Sequence, residues 1–144
     1  MRRCANCFKE IADKKATCSH CGFDNSKIKT VPGGIKAGRT IEERYYIGNV
    51  LGQGGFGITY KGFDLDLDRV IAIKEYYPKN SVQRNSDGVT VEPSDRAEFK
   101  KGLNYFTDEA KALAKFQGHP NIVSVQNYFR SNNTSYMVME FMEG

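Results

Sequence analysis

The feature that most constrains the fold is a glycine-rich turn between two strand patterns. Residues 51–57 read Leu-Gly-Gln-Gly-Gly-Phe-Gly, which contains the spacing G-x-G-x-x-G at Gly52, Gly54 and Gly57. In a dinucleotide-binding fold this loop joins a strand to a helix, but here residues 58–61 continue as a strand. The pattern therefore predicts an antiparallel hairpin whose turn can fold over phosphates with its backbone amides toward the oxygens.

The remaining patterns predict more strands and one helix. Strand patterns cover Tyr45–Gln53, Ile58–Asp64, Arg69–Tyr76, Ile122–Arg130 and Thr134–Phe141, and Val82–Arg84 with Val89–Val91 predicts a small hairpin. The helix begins near Asp95 with Glu98 three residues later, as in a capping box, and ends before Gly118 and Pro120. Its apolar stripe is Phe99, Leu103, Phe106, Ala110 and Leu113. Because the first three strands have connections too short for crossover helices, we expect an α+β fold with a five-stranded antiparallel sheet and one main helix.

The composition is that of a globular protein. Hydrophobic residues make up 40% and charged residues 26% of the chain. No apolar run approaches the ~20 residues that cross a bilayer, and no apolar stretch follows Arg2 and Arg3. We therefore expect a cytoplasmic chain without a membrane segment of its own; a segment further along a longer parent stays open.

Two cysteine pairs predict a metal site near the N-terminus. Cys4 and Cys7 are followed after ten residues by Cys18 and Cys21, and four thiolates at this spacing can surround one structural Zn²⁺. Residues 1–23 have too few large apolar side chains for a core, so the metal would supply the folding energy, about 10–16 kcal/mol in comparable peptides. A redox pair or two disulfides are weaker alternatives, because neither a thioredoxin-like context nor a secretory signal is evident. His20 is expected to be a surface residue. This segment resembles the short zinc-ribbon modules that are appended to many prokaryotic proteins.

The chain divides into three predicted units. Residues 1–23 form the zinc ribbon, residues 24–40 are rich in Gly, Ser, Thr and Lys and predict a flexible linker, and residues 41–144 form the main domain. Residues 1–34 carry seven Lys or Arg and three acidic residues, whereas the rest of the chain is balanced. A solvated basic surface explains this excess more simply than nucleic-acid binding does.

A lysine on the third strand is the expected phosphate partner of the turn. Lys74 follows three apolar residues at 71–73, and strand alternation puts it on the same face as Ala72. The small Ala72 leaves room for a flat base while Lys74 reaches the phosphates. A buried lysine needs a carboxylate partner, and Glu109 on the helix is the candidate.

Four motifs in this order resemble the N-terminal lobe of a eukaryotic-like protein serine/threonine kinase of bacterial type. They are the glycine-rich turn, the strand Ile71-Ala72-Ile73-Lys74, the helix glutamate Glu109, and the turn His119-Pro120-Asn121-Ile122-Val123. The resemblance covers residues 45–144. Two departures from the usual pattern are Thr59, where kinases mostly carry Val, and a long insertion at 75–94 that makes Glu98 a competitor of Glu109.

The resemblance implies an ATP site and its residues. Lys74 and Glu109 would be the catalytic pair, Met139 the gatekeeper, and Glu140 and Met142 the hinge positions whose backbones bind adenine. The expected nucleotide contacts are Leu51, Gly52, Gln53, Gly54, Gly55, Phe56, Gly57, Thr59, Ala72, Lys74, Met139, Glu140 and Met142. The expected zinc ligands remain Cys4, Cys7, Cys18 and Cys21.

The resemblance also indicates what these residues lack. Neither H-R-D nor D-F-G occurs in the sequence, which ends at Gly144 in the expected hinge, and phosphoryl transfer needs those motifs. We therefore expect an ATP-binding portion of a kinase that is inactive alone and binds nucleotide weakly, with Mg²⁺ and the protein substrate engaged only through the second lobe of a parent protein.

Two other functions remain open. The chain could be a pseudokinase lobe or regulatory fragment whose zinc ribbon binds a protein partner. Nucleic-acid binding by the basic ribbon is disfavoured, because Phe8 and Phe23 are its only aromatic residues for stacking.

Overall fold

The computed structural model describes residues 2–115 and 124–141. Numbered in chain order, its strands are β1 (Arg2–Arg3), β2 (Glu10–Ile11), β3 (Thr40–Ile41), β4 (Tyr45–Gln53), β5 (Gly57–Asp64), β6 (Arg69–Tyr76), β7 (Val82–Arg84), β8 (Val91–Pro93), β9 (Val125–Ser131) and β10 (Thr134–Glu140), and its helix is α1 (Arg96–Ala114). No helix within these described ranges is long and apolar enough to span a membrane.

The main sheet is antiparallel throughout. Its spatial order is β3-β4-β5-β6-β10-β9, so the five expected strands are confirmed and the two-residue β3 adds a short edge. Strands β9 and β10 meet at Asn132 and Asn133, whose φ angles are 52° and 61°. Asparagine tolerates this left-handed region better than most residues do, which suits a two-residue hairpin turn.

The small hairpin pairs β7 with β8, two residues later than expected on its second strand. The reason is a local cap: the Asp87 carboxylate accepts hydrogen bonds from the backbone N–H groups of Val89 and Thr90, at 2.9 and 2.8 Å. Residues 89 and 90 therefore belong to the turn, and pairing resumes only at Val91.

Helix α1 begins where the sequence predicted. The Asp95 side chain accepts from the backbone N–H groups of Ala97 and Glu98 at 3.0 and 3.2 Å, which caps the first turn. The buried helical positions are Phe99, Leu103, Phe106 and Ala110, four of the five members of the predicted stripe. Leu113, the fifth, is only partly buried against the core. The expected end signals at 118 and 120 lie outside the described residues.

A glycine inside α1 permits a close contact with the sheet. A Cβ atom at Gly102 would lie 1.8 Å from the hydroxyl oxygen of Tyr76, whose ring packs on Phe99 and Phe106 with centroid distances of 5.2 and 5.8 Å. Glycine lowers the helix propensity at this position, but a larger residue would clash with the Tyr76 side chain.

The segment that was expected to be a flexible linker packs along the sheet instead. Ile35 is only 2% exposed, and its backbone N–H donates to the Tyr60 hydroxyl at 3.0 Å. The Val50 N–H donates to the Lys29 carbonyl at 2.9 Å, and the Ile47 N–H donates to the Arg39 carbonyl at 2.9 Å. The division into a ribbon, a linker and a main domain stays a prediction.

Candidate functional site

A cavity of about 900 Å³ lies between the glycine-rich turn and α1. The turn contributes residues 52–57, the sheet contributes Thr59, Lys74 and Tyr76, and the helix contributes several polar side chains. The helix residues that line it are Glu98, Lys101, Gly102, Tyr105, Phe106 and Glu109. The structure therefore brings the predicted turn, the predicted lysine and both candidate glutamates to one cavity.

The glycine-rich turn connects two antiparallel strands as a β-hairpin. The Gly54 N–H donates to the Gly57 carbonyl at 2.9 Å, and β5 follows directly, so the predicted strand after the turn is present and a Rossmann helix is not. No heavy atom lies within 4 Å of the position that a Cβ would take at Gly52, Gly54 or Gly55. The backbone of the turn is thus open to a ligand.

Strand alternation gathers the expected base-binding residues on one face. Thr59 is the cross-strand partner of Lys74, and Met139 is the partner of Ala72. Partners in an antiparallel sheet point to the same side. Ala72 is 8% exposed and Leu51 is 40% exposed. Thr59 and Lys74 of this face line the cavity, whereas Leu51, Ala72 and Met139 are not among its lining residues.

The expected pairing of Lys74 with Glu109 is not formed. Both residues are described and line the same cavity, but no ion pair of 4.0 Å or less joins them among the described residues. Glu109 is exposed, and an exposed carboxylate gains little from holding a flexible ammonium. Glu98, the competitor, is also exposed on this cavity and does not pair with Lys74 either.

The hinge positions are described only in part. Glu140 is exposed, and its N–H donates to the Ser124 carbonyl at 3.1 Å. Met142 and the motif at 119–123 lie outside the described residues.

The sequence interpretation missed a buried ionic network behind Lys74. Glu75 is fully buried, and its carboxylate accepts from the Arg84 guanidinium at 2.7 and 2.8 Å. The hydroxyls of Tyr60 and Tyr136 donate to it at 2.9 and 2.8 Å. Burial, together with the charge of Glu75, raises the pKa of both tyrosines, so their hydroxyls stay protonated. The one available signal was that strand alternation puts the acidic Glu75 on the same face as the apolar Ile71 and Ile73.

The four cysteines converge as the spacing predicted. Their sulfur atoms all lie within 4.8 Å of one another, and the Cys4–Cys21 and Cys7–Cys18 distances are both 3.7 Å. Sulfurs bound to one zinc at about 2.3 Å lie about 3.8 Å apart. His20 is exposed and is not part of the cluster.

The surroundings of the cluster suit thiolate ligands. The backbone N–H groups of Asn6 and His20 each approach the sulfur two residues earlier at 3.4 Å. The Asn25 amide donates to the Cys4 sulfur at 3.4 Å. Burial alone would raise the pKa of Cys4, but the Asn25 amide and the backbone N–H groups of Cys7 and Asn6 lower it to about 6. At Cys7 burial dominates and raises the pKa to about 12. Such donors to sulfur orient and charge the ligands of a metal site, so the residues fit a structural metal.

The part of the chain that carries the cysteines, residues 2–23 and called the cysteine module below, packs on the sheet through Phe8. Its ring stacks on Phe63 with a centroid distance of 5.6 Å and an interplanar angle of 23°, and meets Tyr46 edge-on at 6.1 Å. Phe8 has a φ of 64°, the equivalent of Gly22 (φ 80°) after the second cysteine pair. A bulky residue rarely adopts this conformation, so the burial of its ring offsets the backbone strain.

A lysine connects the cysteine module to the residue that follows β10. Lys61 is 6% exposed, donates to the Asn6 side-chain oxygen at 2.9 Å, and lies 4.7 Å from the centroid of the Phe141 ring. Lys61 is the cross-strand partner of Ala72. The module therefore sits on the same face of the sheet as the expected base-binding residues.

Comparison with known proteins gives one consistent result. Residues 45–144 match the family model described as "Protein kinase domain". The chain is 31% identical over 122 residues to serine/threonine-protein kinase tousled-like 2 of Homo sapiens, covering 84% of the chain and 13% of that protein. It is 30% identical over 127 residues to calcium-dependent protein kinase 32 of Arabidopsis thaliana, covering 87% of the chain and 21% of that protein. The chain thus spans 13% of the length of the first relative and 21% of the length of the second.

A solved structure shares both the fold and part of the sequence. The protein described as "PpkA-294 apo form" superposes with a TM-score of 0.71 at 35% identity, covering 78% of this chain and 40% of that one.

Proposed function

The chain belongs to the protein kinase family, and we propose that it is the ATP-binding part of a protein serine/threonine kinase that transfers phosphate to protein serine or threonine in a longer parent. The observation that carries the proposal is the meeting of the glycine-rich turn, Lys74 and the α1 carboxylates around one cavity. The serine/threonine kinases among its relatives support the same reaction class.

The proposed roles follow from the geometry. The open backbone of residues 52–57 would cover the phosphates, and Lys74 would orient them from the strand below. Ala72 and Met139 share the face on which a flat base would lie. Glu109 would stabilise Lys74 after α1 moves toward β6, because the two side chains already line one cavity and kinases require this ion pair for activity.

Nucleotide binding by the 144-residue chain tests the proposal. We expect saturable ATP binding in a titration followed by NMR, with shifts concentrated at residues 52–59 and 72–74. Lys74→Met is expected to weaken binding at least tenfold, whereas Lys79→Met, which removes an exposed lysine outside the cavity, is expected to leave it unchanged. Equal loss in both variants, or no binding by the wild type, would contradict the proposal.

We also propose that this chain alone does not transfer phosphate. It contains neither H-R-D nor D-F-G, the motifs that orient the acceptor and hold Mg²⁺. Incubation with labelled ATP and a basic protein should leave that protein unlabelled. Mg²⁺ and protein substrate would be engaged through the second lobe of a kinase.

For the cysteine cluster we propose a structural zinc site with Cys4, Cys7, Cys18 and Cys21 as ligands. The 3.7 Å sulfur separations and the N–H donors to sulfur support it. Native mass spectrometry should show one zinc per chain, and Cys18→Ser should remove it, while His20→Ala should not. Retention of stoichiometric zinc by the Cys18 variant would argue against this ligand set.

A further inference from the structure

The strand that carries Lys74 also carries a buried carboxylate on its opposite face. Successive residues of a strand point to opposite sides, so Lys74 faces the cavity while Glu75 faces the core beneath the β7–β8 hairpin. Glu75 has no exposed surface, and the side chain of Arg84 is only 9% exposed. Their contact is bidentate, with oxygen–nitrogen distances of 2.7 and 2.8 Å.

The groups that hold Glu75 come from three strands. Tyr60 lies on β5 and Tyr136 on β10, the two neighbours of β6, and Arg84 lies on β7. The carboxylate therefore joins both neighbours of β6 at the position next to Lys74. Any rotation of β6 about its own axis would have to break these hydrogen bonds.

Arg84 also connects this point to segments outside the sheet. Its guanidinium donates to the carbonyls of Gly33 and Val89, both at 2.8 Å, and lies 4.5 Å from the centroid of the Tyr77 ring. Residue 33 belongs to the segment packed along the sheet, and residue 89 belongs to the hairpin turn. One side chain thus fastens the hairpin and the packed segment to the back of β6.

The end of β6 is coupled to the glycine-rich turn by short contacts. The Tyr77 N–H donates to the Phe56 carbonyl at 3.0 Å. A Cβ at Gly57 would lie 2.9 Å from the Glu75 carbonyl and 3.4 Å from the Lys74 side chain. A shift of Glu75 would therefore move both the lysine and the backbone of the turn.

We propose that Arg84 is a positioning residue for Lys74: by fixing the Glu75 carboxylate behind β6, it sets the direction in which the neighbouring ammonium enters the cavity. A buried ion pair contributes little net stability compared with apolar residues of similar size, whereas removal of one partner is strongly destabilising. The pair is thus better explained by the defined position of β6 than by stability alone. The role of Lys74 in binding nucleotide rests on the proposed function, whereas the effect of Arg84 on the position of Lys74 does not depend on it.

The experiment separates positioning from stability by removing both charges. Arg84→Met or Glu75→Gln alone leaves a buried charge with fewer partners and is expected to lower the melting temperature clearly. The double variant removes both charges, and its melting temperature is expected to recover most of that loss. Arg44→Met with Asp64→Asn is the matched control, because it removes another bidentate pair of the same sheet at the far end of β5 and β6.

Lys74 itself supplies the readout. Its acylation rate by a neutral amine-reactive ester is measured by mass spectrometry against pH, relative to the exposed Lys79 of the same chain. In the Arg84 and Glu75 double variant we expect the Lys74 to Lys79 ratio to change at least threefold and ATP affinity to fall about tenfold. In the control variant we expect both to stay at the wild-type value.

Each outcome decides the inference. If the double variant is folded and keeps the wild-type acylation ratio, Arg84 has only a structural role and the proposal is overturned. If the wild type binds no ATP, the proposed function fails, and the acylation ratio still decides whether Arg84 positions Lys74. A changed ratio with unchanged ATP affinity would overturn the claim that the position matters for the nucleotide.

Discussion

Replacing Gly48 with alanine should weaken the contact between the cysteine module and the sheet. A Cβ at position 48 of β4 would lie 2.4 Å from the Ala5 carbonyl oxygen and 2.7 and 2.8 Å from two atoms of the Phe8 ring. The first of these is backbone, which cannot rotate away as a side chain can. The module must therefore shift or leave the sheet.

Two opposing terms give the magnitude. Alanine in the middle of a strand is more favourable than glycine by about 0.5–1 kcal/mol, whereas overpacking costs about 1–3 kcal/mol. If the module leaves the sheet, the exposed Phe8 ring loses about 1.5–3 kcal/mol of burial energy instead. The net loss is about 1–2 kcal/mol, which lowers the melting temperature of a chain of this size by roughly 3–6 °C.

Thermal unfolding and amide exchange together measure this effect, with zinc present throughout. The Asn49 N–H donates to the Ala5 carbonyl at 3.3 Å and is a direct reporter of docking, so its exchange should accelerate at least tenfold in Gly48→Ala while the amides of β6 stay protected. Gly52→Ala on the same strand meets no atom within 4 Å and should not lower the melting temperature. A Gly48 variant as stable as the wild type with a protected Asn49 amide would refute the docked arrangement.

Three more changes have expected results. Gly102→Ala should lower the free energy of unfolding by about 1–3 kcal/mol through overpacking against Tyr76, although helix propensity alone predicts a gain of about 1 kcal/mol. In a Tyr76→Leu background the same substitution should stabilise the protein. A higher denaturation midpoint for Gly102→Ala alone would contradict the contact with Tyr76. Burial opposes the charged form of Asp64, but the Arg44 guanidinium and the backbone N–H groups of Leu67 and Asp66 outweigh it and hold the pKa of that carboxyl below its usual range. Because the folded pKa is the lower one, the stabilisation by Asp64 is complete above the unfolded value near 3.9 and is lost as the pH falls through the folded value. Asp64→Asn should therefore be less stable than wild type at pH 7 and lose less further stability in acid, and acid unfolding curves of equal slope for the two proteins would contradict this. Removing the proposed zinc with a chelator should unfold residues 4–21 and accelerate exchange of the Asn49 amide, whereas the amides of the β5–β6 pairing should remain protected. Global unfolding on chelation would contradict this expectation.

The architecture could be predicted because it leaves local patterns in the sequence. A run of β-branched residues marks Arg69–Tyr76 with both of its ends correct, and the 4-3-4-3 spacing marks the buried face of α1. Strand alternation predicted that Ala72 and Lys74 share a face, and the register confirms it. The two-residue error at β8 arose because a side-chain cap, and not strand propensity, sets where the turn ends.

The contacts between distant parts of the chain could not be predicted. The Tyr136 hydroxyl reaches Glu75 across 61 positions, and Lys61 reaches Asn6 across 55. Neither pairing leaves a periodic pattern in the sequence. From the sequence alone, Glu75 is therefore expected to be a solvated charge and Lys61 a surface residue. The separation of Lys74 from Glu109 was equally hidden, because spacing along the chain gives the side of the helix but not its distance from the sheet.

Four consecutive residues of β6 and its end each contact a different part of the molecule: Lys74 the cavity, Glu75 the hairpin, Tyr76 the helix and Tyr77 the segment around Gly33. A single inserted or deleted residue before them would exchange the two faces of the strand, which would bury an ammonium and place a carboxylate in the cavity. Length variation among relatives should therefore be absent from 70–77 and accumulate instead at the tip of the hairpin, around residues 85–88, where an added residue changes neither face.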